Sequence, residues 1–232
     1  MFDKLKKVFG TSSSQPALKS GAHAVAAPDT MSVWAATQGL TYNPLSDGKG
    51  FLMTGRIGGH AWRLERGHAS RAYIVGEELR ARAELKVNDD VAVLIMNRPL
   101  KEVLEKQAYA LYTDTLQTTA DPKLPEELRW LAMYREVGWD SLGPAFWARY
   151  SVLTDKRAHA QAWLEPKLAA LLMSWPEQGV DTQVPFVLML LRGKSYLRMQ
   201  YTPSDLPTLA HVRLIFTRAS ESALESFAPD CV

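Results

Sequence analysis

The sequence predicts an α+β fold: an antiparallel β-meander packed against helices, a second β-hairpin near the C-terminus, and a disordered N-terminal tail. Three observations predict it. Glycine-containing turns at residues 58–59 and 193–194 each join segments of alternating polarity. Residues 78–87 alternate without a break, as a half-buried strand does. Segments with helical periodicity and an early proline follow residue 98.

Composition and charge exclude several classes of protein. The 232 residues are 47% apolar, which is enough for a packed core. Residues 1–20 carry a net charge of +3 and the rest −1, so a basic nucleic-acid-binding surface is not expected. The single cysteine, Cys231, excludes an internal disulfide and a multi-cysteine zinc site. We therefore expect a cytoplasmic protein with no cofactor, no metal and no nucleic-acid partner.

The first ten residues, MFDKLKKVFG, form an amphipathic pattern. The apolar arc consists of Phe2, Leu5, Val8 and Phe9, and the basic side contains Lys4, Lys6 and Lys7. Residues 11–30 are small and polar, which predicts a flexible linker. The segment either tethers the protein to a partner or to the inner membrane surface, or has no role.

The glycines near residue 58 favour a hairpin over a phosphate-binding loop. Their spacing does not match GxGxxG, and the following residues alternate like a strand. A two-residue turn at Gly58-Gly59 predicts three cross-strand pairs, namely Ile57 with His60, Gly55 with Trp62, and Met53 with Leu64. In that register the apolar side chains share one face, and Arg56 and Arg63 lie on the other.

Further strands complete the predicted meander over residues 51–97. Residues 71–75 are expected to return as a third strand, and residues 78–87 place Arg80 and Arg82 on a polar face. Residues 91–97, VAVLIMN, are typical of a central strand.

Four arginines are expected to cluster if these strands share one sheet with matching faces. They are Arg56, Arg63, Arg80 and Arg82, with Glu65, Glu78 and Glu84 beside them. One interpretation is a solvated face with cross-strand ion pairs, each contributing at most about 1 kcal/mol. The other is a docking surface for an acidic partner.

The second half of the chain is predicted to alternate helices and strands. Pro99 and Pro125 begin helices, the latter reaching towards residue 138, and residues 146–153, FWARYSVL, suit a strand. A helix interrupted at Pro166 follows, and residues 209–227 hold a strand or helix and then a C-terminal helix.

Two motif-like groups have structural explanations. Gly193-Lys194-Ser195 resembles the end of a P-loop, but the required earlier glycine is Leu188. A Gly193-Lys194 turn instead predicts three pairs, namely Leu190 with Leu197, Leu188 with Met199, and Phe186 with Tyr201. A metal site is not predicted, because the candidate ligands point to different faces or lie beyond a turn. Those candidates are His60, Glu65 and His68.

Residues 146–200, from FWARYSVLTDKRAHAQAWLEP to VPFVLMLLRGKSYLRM, resemble the C-terminal part of a bacterial family whose members often carry membrane segments. This chain lacks those segments, and the resemblance implies no activity.

The functional prediction is a non-catalytic interaction or adaptor domain with a protein partner, docked or tethered through residues 1–10. The alternative is an enzyme or small-ligand module with a site between the meander and the helices of 99–137. Its candidate residues are Trp62, Arg63, Trp130 and Tyr134, with no role assigned to any of them. No catalytic residue is assigned. A single domain is expected over residues 31–232, the alternative being two lobes divided near residues 138–144.

Overall fold

The computed structural model describes residues 29–46, 48, 50–114, 126–176 and 181–228, with side chains of α2 only to residue 110. The predicted docking segment, nearly all of the predicted linker, and Cys231 lie outside the described residues.

The described chain contains strands and helices in a mixed order. The strands are β1 (Thr41–Pro44), β2 (Phe51–Ile57), β3 (His60–His68), β4 (Glu77–Glu84), β5 (Ala92–Asn97), β6 (Arg135–Val137), β7 (Tyr150–Thr154), β8 (Phe186–Leu191) and β9 (Lys194–Gln200). The helices are α1 (Thr30–Thr37), α2 (Arg98–Asp114), α3 (Glu126–Met133), α4 (Gly143–Arg149), α5 (Arg157–Trp163), α6 (Pro166–Met173) and α7 (Leu206–Phe227), with a 3-10 helix at Asp140–Leu142. The predicted α+β class is confirmed.

All strands join one antiparallel sheet in the order β1-β2-β3-β4-β9-β8-β5-β7-β6. The predicted meander over residues 51–97 is therefore only partly right, because the β8–β9 hairpin lies between β4 and β5. Strand β9 alternates buried and half-buried residues. Like β4, it is therefore apolar on one face and polar on the other. Strand β5 is apolar on both faces and pairs with β7 and β8 at the buried end of the sheet.

The first hairpin has the predicted register. Ile57 pairs with His60, and both Gly58 and Gly59 adopt positive φ, of 54° and 82°, which a two-residue hairpin turn requires.

The strand predicted at residues 71–75 is absent. Those residues form turns, because Ile74 N–H bonds to Arg71 O and Val75 N–H bonds to the Gln200 side chain. Strand β4 pairs directly with β3 and ends at Glu84, since Lys86 turns the chain with a φ of 56°.

The second hairpin is present, but its register differs from the predicted one by two residues. The turn lies at Arg192-Gly193, whose φ angles are 51° and 67°, rather than at 193–194. Leu188 therefore pairs with Leu197, and Leu190 with Ser195. A shift of two residues leaves every side chain on its predicted face.

Three other boundaries differ from expectation. Residues 146–149 close helix α4, and the strand begins at Tyr150. Helix α3 ends at Met133, and the next three-residue segment becomes the edge strand β6. Residues 209–227 belong to a single helix, α7, whose first turn is capped by Asp205.

One face of the sheet, the covered face, is packed along its length by helices. Helix α7 supplies Ile215 and Phe216 to this core, α5 supplies Trp163 and α6 supplies Leu168. The Trp163 indole also donates to Ala219 O at 2.8 Å, which ties α5 to α7. No helix in the described part of the chain is long and apolar enough to cross a membrane.

The opposite face, the half-open face, is covered over only part of its width. Helices α2 and α3 bury a second apolar cluster on it. The sheet residues in this cluster belong to β5, β7 and β8, and are Leu94, Met96, Leu153, Val187 and Met189. The half-open face of β2, β3, β4 and β9 is left largely to polar side chains.

We expect Gly193→Ala to destabilise the protein by about 2–4 kcal/mol, because an added Cβ would meet Val87 O at 2.8 Å and Asp89 Oδ1 at 2.6 Å. Gly59→Ala is the matched control, since its left-handed φ is similar but nothing lies within 4 Å of the new Cβ. It should cost only about 1 kcal/mol. Urea unfolding of both variants measures the loss of stability. Equal losses would show that the close approach of Val87 and Asp89 to Gly193 does not matter.

Candidate functional site

The uncovered part of the half-open face carries a cluster of charged side chains, which we call the arginine face. Its cations are Arg56, Arg63, Arg80, Arg82, Lys194 and Arg198, and its carboxylates are Glu65, Glu78 and Glu84. Six cations against three carboxylates give these residues a net charge of +3. All four predicted arginines thus lie on one surface of one sheet.

The pairing of the strands brings like charges directly opposite each other. Arg63 is the cross-strand partner of Arg82, and Arg80 is the partner of Arg198. Like charges in such positions destabilise a sheet, because the side chains stand about 5 Å apart at their bases. Two such arginine pairs occur on this face, one between β3 and β4 and one between β4 and β9.

Neighbouring carboxylates offset part of the repulsion. Arg80 forms an ion pair with Glu65, and Arg82 forms one with Glu84. Lys194 Nζ lies 3.1 Å from the other Glu84 oxygen. Partial burial alone would raise the pKa of Glu84, but the hydrogen bonds from Lys194 and Arg82 hold that pKa below its usual value.

Arg198 belongs to a buried ionic group at one end of the face. Its guanidinium lies 3.2 Å from Glu78, whose side chain is fully buried. The same guanidinium donates to Ser70 Oγ at 3.0 Å, and Ser70 N–H donates to Glu78 at 2.6 Å. These bonds hold the loop after β3 against β4 and β9, so Arg198 is engaged in holding the fold.

Arg63 differs from the other arginines of the face. It is exposed, and within the described residues its guanidinium has neither an ion pair nor a hydrogen bond. Arg56, in comparison, donates to Gly59 O at 2.7 Å. Arg63 therefore leaves a cation free for an external anion.

Two open clefts meet at Arg63 and Arg82. The larger, of about 850 Å³, also includes Thr41, Thr54 and Glu84 in its lining. The smaller, of about 310 Å³, lies towards the α2–α3 side and also includes Arg80, Met189, Tyr196 and Arg198. The Arg82 guanidinium lies over the Tyr196 ring, 5.7 Å from its centroid.

The candidate residues of the alternative ligand site do not lie around one common pocket. Trp62 is buried on the covered face beside Phe216, with 5.6 Å between ring centroids, whereas Arg63 lies on the half-open face. Trp130 is a buried residue of α3, and Tyr134 packs at the edge of the same cluster. Strand β9 separates the meander from β8, β5 and β7, the strands that α2 and α3 cover.

The three candidate metal ligands do not converge, because His60 and His68 lie at opposite ends of β3 and Glu65 is on the other face of that strand. The turn expected before His68 is absent, since β3 continues through Gly67. Glu65 points to Arg80 on the half-open face, and His60 Nδ1 lies 3.0 Å from the Glu84 carbonyl oxygen. The structure holds no cluster of three or more His, Cys, Asp or Glu side chains suited to a metal ion in its described ranges.

Sequence reasoning missed Lys194, Tyr196 and Arg198 as members of this surface. They are on β9, and nothing local in the sequence pairs β9 with β4. The available signal was the alternation of residues 194–200, which matches that of residues 78–84.

Comparisons with known proteins identify no family. No family model matches the chain, and no curated protein matches it. Among solved structures, the mycobacterial trehalose monomycolate transport factor A is similar with a TM-score of 0.45 and 13% identity. The alignment covers 85% of this chain and 94% of that chain.

We expect Arg63→Gln to leave the free energy of unfolding unchanged or to raise it by about 0.5 kcal/mol at low salt, because repulsion from Arg82 is removed. Arg80→Gln should lower it by up to about 1 kcal/mol, because Glu65 loses its ion-pair partner. Urea titrations at low and high salt measure both effects. A loss for Arg63→Gln as large as that for Arg80→Gln would show that Arg63 has a structural role.

Proposed function

We propose that this protein is a non-catalytic interaction domain that docks an acidic protein segment on the arginine face. The single observation that carries the proposal is an uncovered sheet surface with net charge +3 on which two pairs of arginines oppose each other. An acidic partner would relieve this repulsion, so charge complementarity favours its binding and its approach.

The rigidity of the surface supports a docking role. The same strands bury Leu64, Ala81 and Leu197 on the covered face, so their backbone is held by the main core. Arg82 is further held by Glu84 and by the Tyr196 ring. A surface ordered before binding loses less conformational entropy when a partner arrives.

The pairing of the carboxylates supports a non-catalytic role. General acid–base chemistry most often uses a histidine or a carboxyl group within reach of the substrate. On the arginine face Glu65, Glu78 and Glu84 each form an ion pair with a cation of the same face. Their oxygens are engaged in holding arginines, which favours recognition over proton transfer.

The proposal includes a second attachment through residues 1–10. These residues lie outside the described part of the chain, which begins at Asp29. The Tyr42 hydroxyl donates to Asp29 at 3.3 Å, so the chain enters the structure beside β1, whose Thr41 lines the larger cleft. A basic amphipathic segment joined to this point through residues 11–28 would attach the protein to an anionic inner membrane surface or a partner groove.

A fluorescently labelled hexaglutamate peptide tests the docking surface by anisotropy with the full-length protein. We expect binding that weakens as salt rises, and a loss of about threefold to fivefold for Arg63→Gln or Arg82→Gln, since one exposed ion pair contributes up to about 1 kcal/mol. Arg135→Gln is the control, because Arg135 is an exposed arginine on β6 at the far edge of the sheet. Binding that ignores salt and both substitutions would overturn the proposal.

Deleting residues 1–10 tests the attachment separately. The intact protein should co-sediment with vesicles that contain anionic lipid and not with neutral vesicles, whereas the shortened protein should stay in the supernatant. Its affinity for the hexaglutamate peptide should not change. Equal sedimentation of both proteins would remove the membrane-attachment part of the proposal.

A further inference from the structure

The middle of the arginine face contains a row of side chains with no carboxylate. Consecutive cross-strand pairs join Thr41 to Thr54, Thr54 to Arg63, and Arg63 to Arg82. We call these four residues the threonine–arginine row. It runs across four strands and lines the larger cleft, and Tyr196 continues it on β9.

The carboxylates of the face lie in the neighbouring rows. Glu65 pairs across the strands with Arg80, and Glu84 with Lys194, each two residues along the strand from the threonine–arginine row. Charge within the row is therefore +2, and only Arg82 has a neighbouring carboxylate, Glu84, as an ion-pair partner. Among the described residues Arg63 has none.

The row offers hydrogen-bond donors of the kind that oxyanions accept. Each guanidinium presents N–H groups in a planar fork that matches two oxygens of a carboxylate or phosphate. The Thr41 and Thr54 hydroxyls make no hydrogen bond to other described residues, and both border the cleft. Arg82 is held in place by Glu84 and Tyr196, whereas Arg63 is free to close on a ligand.

From this arrangement we infer that the acidic partner carries a phosphate monoester, which binds in the threonine–arginine row between Arg63 and Arg82. The inference rests on the proposed function and specifies its ligand. A phosphate monoester has a charge of about −1.5 to −2 at neutral pH and three acceptor oxygens. Arg63, Arg82 and Lys194 have one carboxylate, Glu84, between them, so two positive charges remain. One phosphate monoester neutralises both and accepts from a hydroxyl as well, whereas a single carboxylate neutralises one.

A protein segment fits the site better than a bilayer does. The row lines a concave cleft of about 850 Å³, together with Gly39 and Glu84. An extended chain can lie in this cleft with its phosphate directed at the arginines. A flat bilayer surface is less complementary to a concave cleft than an extended chain is.

Two acidic heptapeptides that differ at one central position, phosphoserine or glutamate, test the inference with the full-length protein. Isothermal titration calorimetry should give a roughly tenfold lower Kd for the phosphoserine peptide, because phosphate adds charge-assisted hydrogen bonds. Arg63→Gln and Arg82→Gln should abolish that preference. Arg63→Lys keeps the positive charge but should lose most of the preference, since lysine lacks the planar fork of N–H groups. Arg135→Gln should keep the wild-type preference. Circular dichroism confirms that each variant is folded.

The outcomes separate this inference from the proposed function. Equal affinity for the two peptides would overturn the phosphate inference and leave acidic docking intact. Binding of neither peptide would overturn both. Binding to vesicles containing a phosphoinositide but not to the phosphoserine peptide would also overturn it, by assigning the row to a lipid headgroup.

Discussion

Strands β5 and β8 carry apolar side chains on both of their faces, and such strands must be buried from two sides. The rest of the architecture depends on this requirement. It places α2 and α3 on one side and α4 to α7 on the other, with β5 and β8 between them. The strands from β2 to β4 are apolar on a single face, so one layer of helices suffices for them. The charged surface stays open because β2, β3 and β4 need helices on one face only, whereas β5 and β8 need them on both.

The parts of the fold that were predictable depend on local chemistry. Gly58-Gly59 determine a turn, the turn determines a register, and the register assigns Arg56 and Arg63 to the polar face. The neighbour of β4 could not be predicted in this way, because a β4–β9 pair joins residues more than a hundred positions apart. The sequence therefore predicted the arginines of β2, β3 and β4 in the candidate site, but not the residues of β9. The strand β9 that completes it, with Lys194, Tyr196 and Arg198, required the tertiary structure.

The arginines of the face differ in whether they have carboxylate partners. Arg80, Arg82 and Arg198 have carboxylate partners, as a solvated or structural face requires. Arg63 has no such partner in the described chain and lies opposite Arg82. The unpaired positive charge of Arg63 thus lies in the middle of the surface, and an anion bound there would meet Arg82 already held in position by Glu84 and Tyr196.

An uncovered sheet face also affects how two copies of the protein meet. Open sheets tend to stack or to extend at their edges, and both routes lead to aggregation. The edge strands here are short, β6 with three residues and β1 with four, the last of them Pro44, which cannot donate to a further strand. The net charge of +3 on the open face repels a second copy of the same face. The charges that we propose to bind an acidic partner therefore also oppose association between copies of the protein.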